Sequence, residues 1–356
     1  MKILLISPLP PPYGGIANWS KLMLEYTNNA NDEICVLNIA PKKRSTEGRN
    51  LFNRVVVSGF DMLRKRKELK KKIKEYKPDV IHMTTSGSIS IIRDLMFLKI
   101  AYKYGIQTVY HIHFGKVPQM EKSGSFIWKL FLKATNRASA TIAIDSRTYN
   151  SLGSYISNEK SFLVPNPVNT EALPEITTDK KNTVTFLGWV VATKGVEELI
   201  SAWNIVGREY PMYELVLIGP AKEEYLSELT QKAKVENITF KGELPHNEAM
   251  GILSDSKVFV LPSYTEGFPN SILEAMALKN TVIASNVGAV PEMLSGECGV
   301  IIEPRSADSI VFALRKVLNN SEYCAQLAQN AFDKVENEYT IDKVYRMYKE
   351  IWENVL

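Results

Sequence analysis

Cysteine is scarce in this 356-residue chain: Cys35, Cys298 and Cys324 are an odd number with no Cys-x-x-Cys or other paired spacing. A disulfide framework and a thiolate metal site are thereby excluded, and reduced, structural thiols of a cytosolic protein are expected. Histidine is nearly as rare, with four residues in no ligand spacing, and Asp-x-Asp occurs nowhere. No metal is therefore expected. Long apolar runs are also missing; none approaches the ~18–20 residues of a membrane-spanning helix. The N-terminal MKILLISPLPPPYGG carries one lysine and an apolar run of four residues, Ile3–Ile6. That is too short for a signal peptide and fits a first β-strand. A cytoplasmic protein is expected, and no segment is of low complexity.

What is present is ordinary for a soluble globular chain, 45% hydrophobic and 23% charged. The length favours two domains of roughly 150–180 residues over one core. Charge divides unevenly between them. Residues 1–167 hold 26 Lys+Arg against 12 Asp+Glu, whereas the remainder holds 17 against 27, within an overall net charge of +4. Much of the excess lies in RKRKELKKKIKEYK (64–77), with nine basic and two acidic residues. A solvated helix face explains such a run, and so does contact with an anionic bilayer at about 1 kcal/mol per well-placed cation. Nucleic acid is disfavoured, because no recognition motif accompanies the charge.

Short apolar strands alternate with helical segments along both halves. The first half reads KILLIS, EICVLNI, DVIHMTT, TVYHIHF, ATIAID and SFLVP, with helices such as ANWSKLMLEYTNN and IRDLMFLKIAYKYG between them. The second reads NTVTFLG, YELVLIG, NITFKG, KVFVLP, TVIAS and GVIIE, with GVEELISAWNIV and SILEAMALK among its helices. Such alternation predicts an α/β chain of two Rossmann-like, doubly wound parallel sheets. Pro165, Pro167 and Pro174 stiffen a candidate linker over 165–182, and TIDKVYRMYKEIWENVL at the end is an amphipathic helix.

The most informative stretch is 258–294, VFVLPSYTEGFPNSILEAMALKNTVIASNVGAVPEML. VFVLP and TVIAS read as buried parallel strands, SYTEGFPN as a loop and SILEAMAL as a helix packed on the sheet. Glu266 and Glu274 sit at the two ends of this strand-to-helix turn with seven residues between them. The turn lies at the carboxyl edge of a parallel sheet, where open α/β folds bind ligands, with a helix N-terminus aimed at it. A phosphorylated ligand whose hydroxyls two carboxylates grip is the simplest chemical reading. For Glu274 a second reading is open, because Ser271 three residues earlier completes a Ser-x-x-Glu capping box.

EGFPNSILE resembles the Glu-x7-Glu element of the retaining GT-B glycosyltransferases of family 4. The likeness extends through PPPYGGIANWS, TVYHIHFG, LVPNPVN and FLGWVVATKGVEELI, in order and at matching spacings. It implies a GT-B fold whose two domains face a central cleft: 1–167 on the acceptor side, 168–340 binding the nucleotide-sugar, and 341–356 crossing back onto the first. It implies that Glu274 holds the ribose hydroxyls and that Glu266 contacts the transferred sugar. Gly267, Phe268, Pro269, Asn270 and Ser271 would offer backbone to the sugar and distal phosphate, and Lys194 a cation to the diphosphate. Gly14 and Gly15 would let the backbone approach that diphosphate from the first domain. His111 and His113 alternate onto one face of their strand, where a buried core histidine is the plain reading. Family position favours His113, beside Phe114 and Gly115, near the reactive end of the donor sugar, while His82 is assigned to structure or the acceptor cleft. One residue departs from the pattern: Trp189 stands after the glycine of FLG, where the family carries an arginine.

The resemblance thus implies a retaining, metal-independent transferase with His113, Lys194 and Glu266 at its catalytic centre. It would move a hexosyl or N-acetylhexosaminyl unit from a nucleoside-diphosphate sugar, UDP-linked by expectation, with no cofactor. The acceptor would be a saccharide or lipid-linked saccharide of a capsule, O-antigen or exopolysaccharide, met at the inner face of the membrane. Two alternatives stay open: a GT-B sugar-nucleotide epimerase, and a degenerate partner subunit, for which Trp189 speaks.

Overall fold

A computed structural model describes residues 1–11, 14–27, 32–40 and 51–356, with the backbone alone over 51–61. Six strands form the first sheet: β1 (Lys2–Ser7), β2 (Glu33–Asn38), β3 (Val80–Thr85), β4 (Gln107–Ile112), β5 (Ala140–Ala143) and β6 (Ser161–Leu163). They are all parallel, in the order β2-β1-β3-β4-β5-β6. The second sheet holds β7 (Lys181–Leu187), β8 (Glu214–Ile218), β9 (Ile238–Gly242), β10 (Ser256–Leu261), β11 (Thr281–Ser285) and β12 (Val300–Ile302). It is again parallel, in the order β12-β11-β10-β7-β8-β9.

Helices cover both faces of each sheet, so the central strands lose their alternation. Every residue of β3, β5 and β11 is buried. That burial is why VIHMTT, ATIA and TVIAS read as continuous β-rich runs. In the first unit Leu4, Ile6, Met83, Tyr110 and Ile112 of the sheet pack with Phe97, Trp128 and Phe131 from its helices. Side-chain caps mark helix starts where the sequence offers them: Ser125 accepts from Trp128 N–H and Asp145 from Thr148 N–H.

The chain divides into two compact units. One comprises Met1–Pro165 with Tyr345–Leu356, and the other Asn166–Val344. The last helix, Ile341–Asn354, therefore begins in the second unit and ends in the first. Its start is held within the second unit by Ile341 N–H donating to Val168 O at 2.9 Å. Its apolar stripe, Tyr345, Tyr348, Ile351 and Trp352, is buried. Three side chains of that stripe hydrogen-bond within the first unit: Tyr345 to Asp32 at 2.8 Å, Tyr348 with Trp19 at 3.2 Å and Trp352 to His82 at 3.0 Å. Among the described residues no helix is long and apolar enough to cross a membrane.

Candidate active site

The second sheet opens a crevice at one place. From β7 the chain proceeds to β8 on one side, while β10 pairs with β7 on the other. The loops leaving β7 and β10 thus part in opposite directions at their carboxyl ends, the arrangement in which doubly wound sheets hold ligands. Gly195 ends the first loop with φ +68°, and a Cβ there would lie 2.1 Å from Pro262 O. Only glycine lets the two loops approach this closely. Tyr264 N–H donating to Thr193 O at 2.9 Å ties them together.

Two predicted residues meet across this crevice. Lys194 Nζ donates to Glu266 Oε1 at 2.5 Å, with side chains 26% and 11% exposed. A cation and a carboxylate at the switch point are therefore both partly shielded, which strengthens their field relative to open solvent. Glu274, in the helix Asn270–Ala277, turns its Oε1 to His246 Nε2 at 2.9 Å. The capping-box alternative is not formed: Ser271 lies inside the helix, the cap position is Pro269, and no side chain caps it. The second carboxylate is thus not spent on the helix end and bonds His246 instead.

Three residues that support this loop or the helix after it, Gly288, Asn166 and His246, escaped the sequence reading. Gly288 (φ +54°) places its α-carbon so close to the loop that a Cβ would meet Glu266 O at 2.4 Å and Gly267 O at 2.5 Å. Ala289 N–H then donates to Gly267 O at 2.8 Å. Asn166 Nδ2 donates to Phe268 O at 3.2 Å and reaches Asn270 Oδ1 at 3.1 Å. Signals existed for two of them: Asn166 is the centre of LVPNPVN, and Gly288 follows the strand TVIAS in a turn. His246, 28 residues before Glu274, carried none. Phe268 is buried against Tyr339, the ring centroids 5.8 Å apart, so it anchors the loop rather than facing solvent.

Beside the crevice, Tyr264 OH donates to Glu198 Oε1 at 2.6 Å. Burial and this carboxylate push the phenol up to about 12, leaving it a neutral donor. The Arg305 guanidinium lies 4.5 Å over the same ring. Glu198 Oε2 and Ser263 Oγ are buried with no partner among the described residues. The Trp189 indole, in the loop after β7, is 46% exposed and therefore no core residue.

Gly14, Gly15 and His113 belong to the first unit. Gly15 opens the helix Gly15–Thr27, and a Cβ on either glycine would meet nothing within 4 Å. Neither is thus required by packing within the described residues. Pro12 and Tyr13 of the same motif lie outside the described residues. His113 follows β4 in a run of three imidazoles. Trp352 Nε1–H donates to His82 Nδ1 at 3.0 Å, and His82 Nε2 lies 3.1 Å from His111 Nδ1. The indole can only donate, so His82 carries its proton on Nε2 and gives it to His111 Nδ1. His111 must then carry its proton on Nε2, which is buried without a partner, as is His113 Nε2. The rings of His111 and His113 stand 3.9 Å apart. Burial holds His82 and His113 down at about 3 and His111 well below its ordinary value, so all three are neutral near pH 7. His82 is buried in the structural core of its unit.

Among the described residues no group of three or more His, Cys, Asp or Glu side chains is placed to hold a metal ion.

The sequence model of the family "Glycosyl transferases group 1" matches residues 155–334, just over half of the chain, and that of "Glycosyltransferase Family 4" matches residues 13–172. The chain is 26% identical over 283 residues to TuaC of Bacillus subtilis, which bears the name of a teichuronic acid biosynthesis glycosyltransferase. That match covers 75% of this chain and 68% of TuaC. The chain spans about half the length of the next three curated relatives it matches. Among solved structures, sucrose-phosphate synthase of Thermosynechococcus elongatus superimposes with a TM-score of 0.81 at 17% identity, covering 99% of this chain and 98% of that one. Anabaena Alr3699/HepE, solved with UDP, gives a TM-score of 0.78 at 17% identity, covering 99% of this chain and 100% of that one. At such identity the likeness concerns the fold, which is the two-domain α/β architecture of GT-B glycosyltransferases.

Proposed function

From a chain that belongs to the glycosyl transferases group 1 family and is a glycosyltransferase of the polysaccharide-building kind, we propose a more specific activity. It is a retaining, metal-independent transfer of a hexosyl or N-acetylhexosaminyl unit from a nucleoside-diphosphate sugar, UDP-linked, to a saccharide or lipid-linked saccharide. One observation carries this proposal. Lys194 pairs with Glu266 at the switch point of the second sheet, and the helix that follows the Glu266 loop, Asn270–Ala277, carries Glu274. The bound UDP and UDP-glucose of Alr3699/HepE, a protein of the same fold, support the choice of nucleotide.

In this proposal the diphosphate takes over Lys194, and Glu266, released from its ion pair, turns to hydroxyls of the transferred sugar. Lys194 and the backbone dipoles of Gly267–Ser271 then hold the charge that grows on the leaving phosphate. The bond from the anomeric carbon to the diphosphate oxygen breaks, the bond to the acceptor oxygen forms on the same face, and the acceptor proton goes to the departing phosphate. Glu274, steadied by His246, accepts from the ribose hydroxyls. The family resemblance also assigns His113, Gly14 and Gly15 of the first unit to the donor. The basic run 64–77 brings the enzyme to an anionic membrane face where a lipid-linked acceptor is found.

Nucleotide release from a panel of UDP- and GDP-sugars, with and without a lipid-linked saccharide acceptor and in the presence of EDTA, tests this. Acceptor-dependent release from a UDP-sugar is expected. Interconversion of donors without release would indicate an epimerase, and binding without turnover a partner subunit.

A further inference from the structure

A cationic cavity lies in the first unit, on three helices that take no part in the chemistry above. The helix Ser90–Lys103 packs against both Leu51–Tyr76 and Phe126–Arg137, and the three enclose a cavity of about 460 Å³. Each helix sends an i,i+4 pair of cations to its rim: Arg66 with Lys70, Lys99 with Lys103, and Lys133 with Arg137. The floor is apolar, formed by Leu95, Met96 and Ile100, and no acidic residue lines the cavity.

Like charges one turn apart repel, and here three such pairs converge. Three nearby cations outside the cavity have partners. Lys65 pairs with Glu68 at 2.8 Å, Lys71 with Glu75 at 3.8 Å, and Lys72 donates to Cys35 Sγ at 3.3 Å. Among the described residues the six cavity cations have no ion pair and no hydrogen bond of their own. Six uncompensated cations around one cavity hold a local excess of positive charge that an anion would relieve. The apolar floor argues that the anion carries a hydrocarbon part. Leu63 and Ile92, one turn before Arg66 and Leu95, are 49% and 47% exposed, so apolar surface continues outward from the rim.

We propose that this cavity seats the phosphate headgroup of an anionic membrane lipid, with the phosphate among the six cations and the glycerol and first methylenes on Leu95, Met96 and Ile100. The site deepens the membrane reading of the basic run given above: it replaces a diffuse charged strip with one headgroup held at one place, four of whose six cations lie outside 64–77.

Calorimetric titration of the full chain with short-chain dihexanoylphosphatidylglycerol tests the site without a bilayer. Saturable binding of one lipid per chain is expected, weakened on the order of a hundredfold in the K99Q/K103Q/K133Q variant. Dihexanoylphosphatidylcholine and inorganic phosphate should both bind far more weakly. Sedimentation with phosphatidylcholine vesicles containing phosphatidylglycerol forms the second arm, comparing that variant with K71Q/K72Q/K74Q. Release of the first variant but not the second supports the cavity. Release of only the second would overturn it and leave the diffuse strip. One-to-one lipid binding lost in the first variant, with no sedimentation of wild type, would retain the cavity and sink the membrane reading. Absence of saturable lipid binding, or equal affinity for inorganic phosphate, would overturn the lipid site itself.

Discussion

Lowering the pH from 7 to 5 should destabilise the first unit selectively, because three of the four histidines are buried there as neutral rings. Their folded values are depressed by burial, to about 3 for His82 and His113, whereas an unfolded histidine titrates near ~6.5. Between those values the unfolded chain binds more protons than the folded one, so stability falls as pH drops below ~6.5 and continues to fall toward 3. At pH 5 the unfolded rings lie about 1.5 pH units past their titration, about 2 kcal/mol for each fully buried ring. His82 and His111 are fully buried and together contribute about 4 kcal/mol. His113 is half-buried as a residue with a buried Nε2, and adds at most a similar single share. That loss is a large part of the ~5–15 kcal/mol that holds a domain folded. Asp32 does not contribute in this window. Burial raises its value, but hydrogen bonds from Tyr345 and the terminal amine, with Lys349, bring it below 3.8, so its share is lost only in stronger acid. Hydrogen exchange read by mass spectrometry in moderate urea reports the two units separately. Protection in β3 and β4 should fall by about 4–6 kcal/mol between pH 7 and 5. β7 and β10 serve as the internal reference, since the one histidine of their unit, His246, has its side chain 62% exposed. Equal pH response in the two units, or none in β3 and β4, would refute the assignment of these imidazoles as neutral and buried.

Three substitutions in the second unit follow from its geometry. Lys194→Ala should cost roughly 2–4 kcal/mol of transition-state stabilisation in kcat/KM, while Trp189→Arg leaves turnover intact or raises it; a near-normal rate in Lys194→Ala would place the leaving-group cation elsewhere. Glu266→Ala should lower kcat far more than it weakens nucleotide binding, and a change in nucleotide affinity alone would contradict contact with the sugar. Gly288→Ala forces a left-handed alanine into the carbonyls of Glu266 and Gly267, so both thermal stability and kcat should drop, stability by at least ~2 kcal/mol, and wild-type values for both would show that the loop does not depend on this contact.

The strands and the carboxylate pair were legible in the sequence for local reasons. VIHMTT and TVIAS are buried on both faces, and such strands announce themselves as unbroken runs. Glu266 and Glu274 flank one turn, so their joint position needs only the turn. The pairing of Lys194 with Glu266 spans 72 residues and depends on the order of β7 and β10 in the sheet, which periodicity does not encode. The same holds for Trp352 and His82, 270 residues apart, whose contact fixes the tautomers of the histidine run. The capping-box reading of Ser271 was locally sound and lost to tertiary structure, because Pro269 takes the cap position and His246 takes the glutamate. The positive charge of the first half was visible as a count. Its convergence on one cavity is a property of helix packing and was not.

Calorimetric titration with UDP in the presence of EDTA, for wild type and Glu274→Ala, tests most directly that the crevice beyond β7 and β10 is the nucleotide-sugar site. Saturable one-to-one binding to the wild type without added metal is expected, weakened in Glu274→Ala by at least about tenfold, the loss of one charged hydrogen-bond acceptor for the ribose. Absence of UDP binding, binding that appears only with a divalent cation, or equal affinity in the two proteins would contradict it.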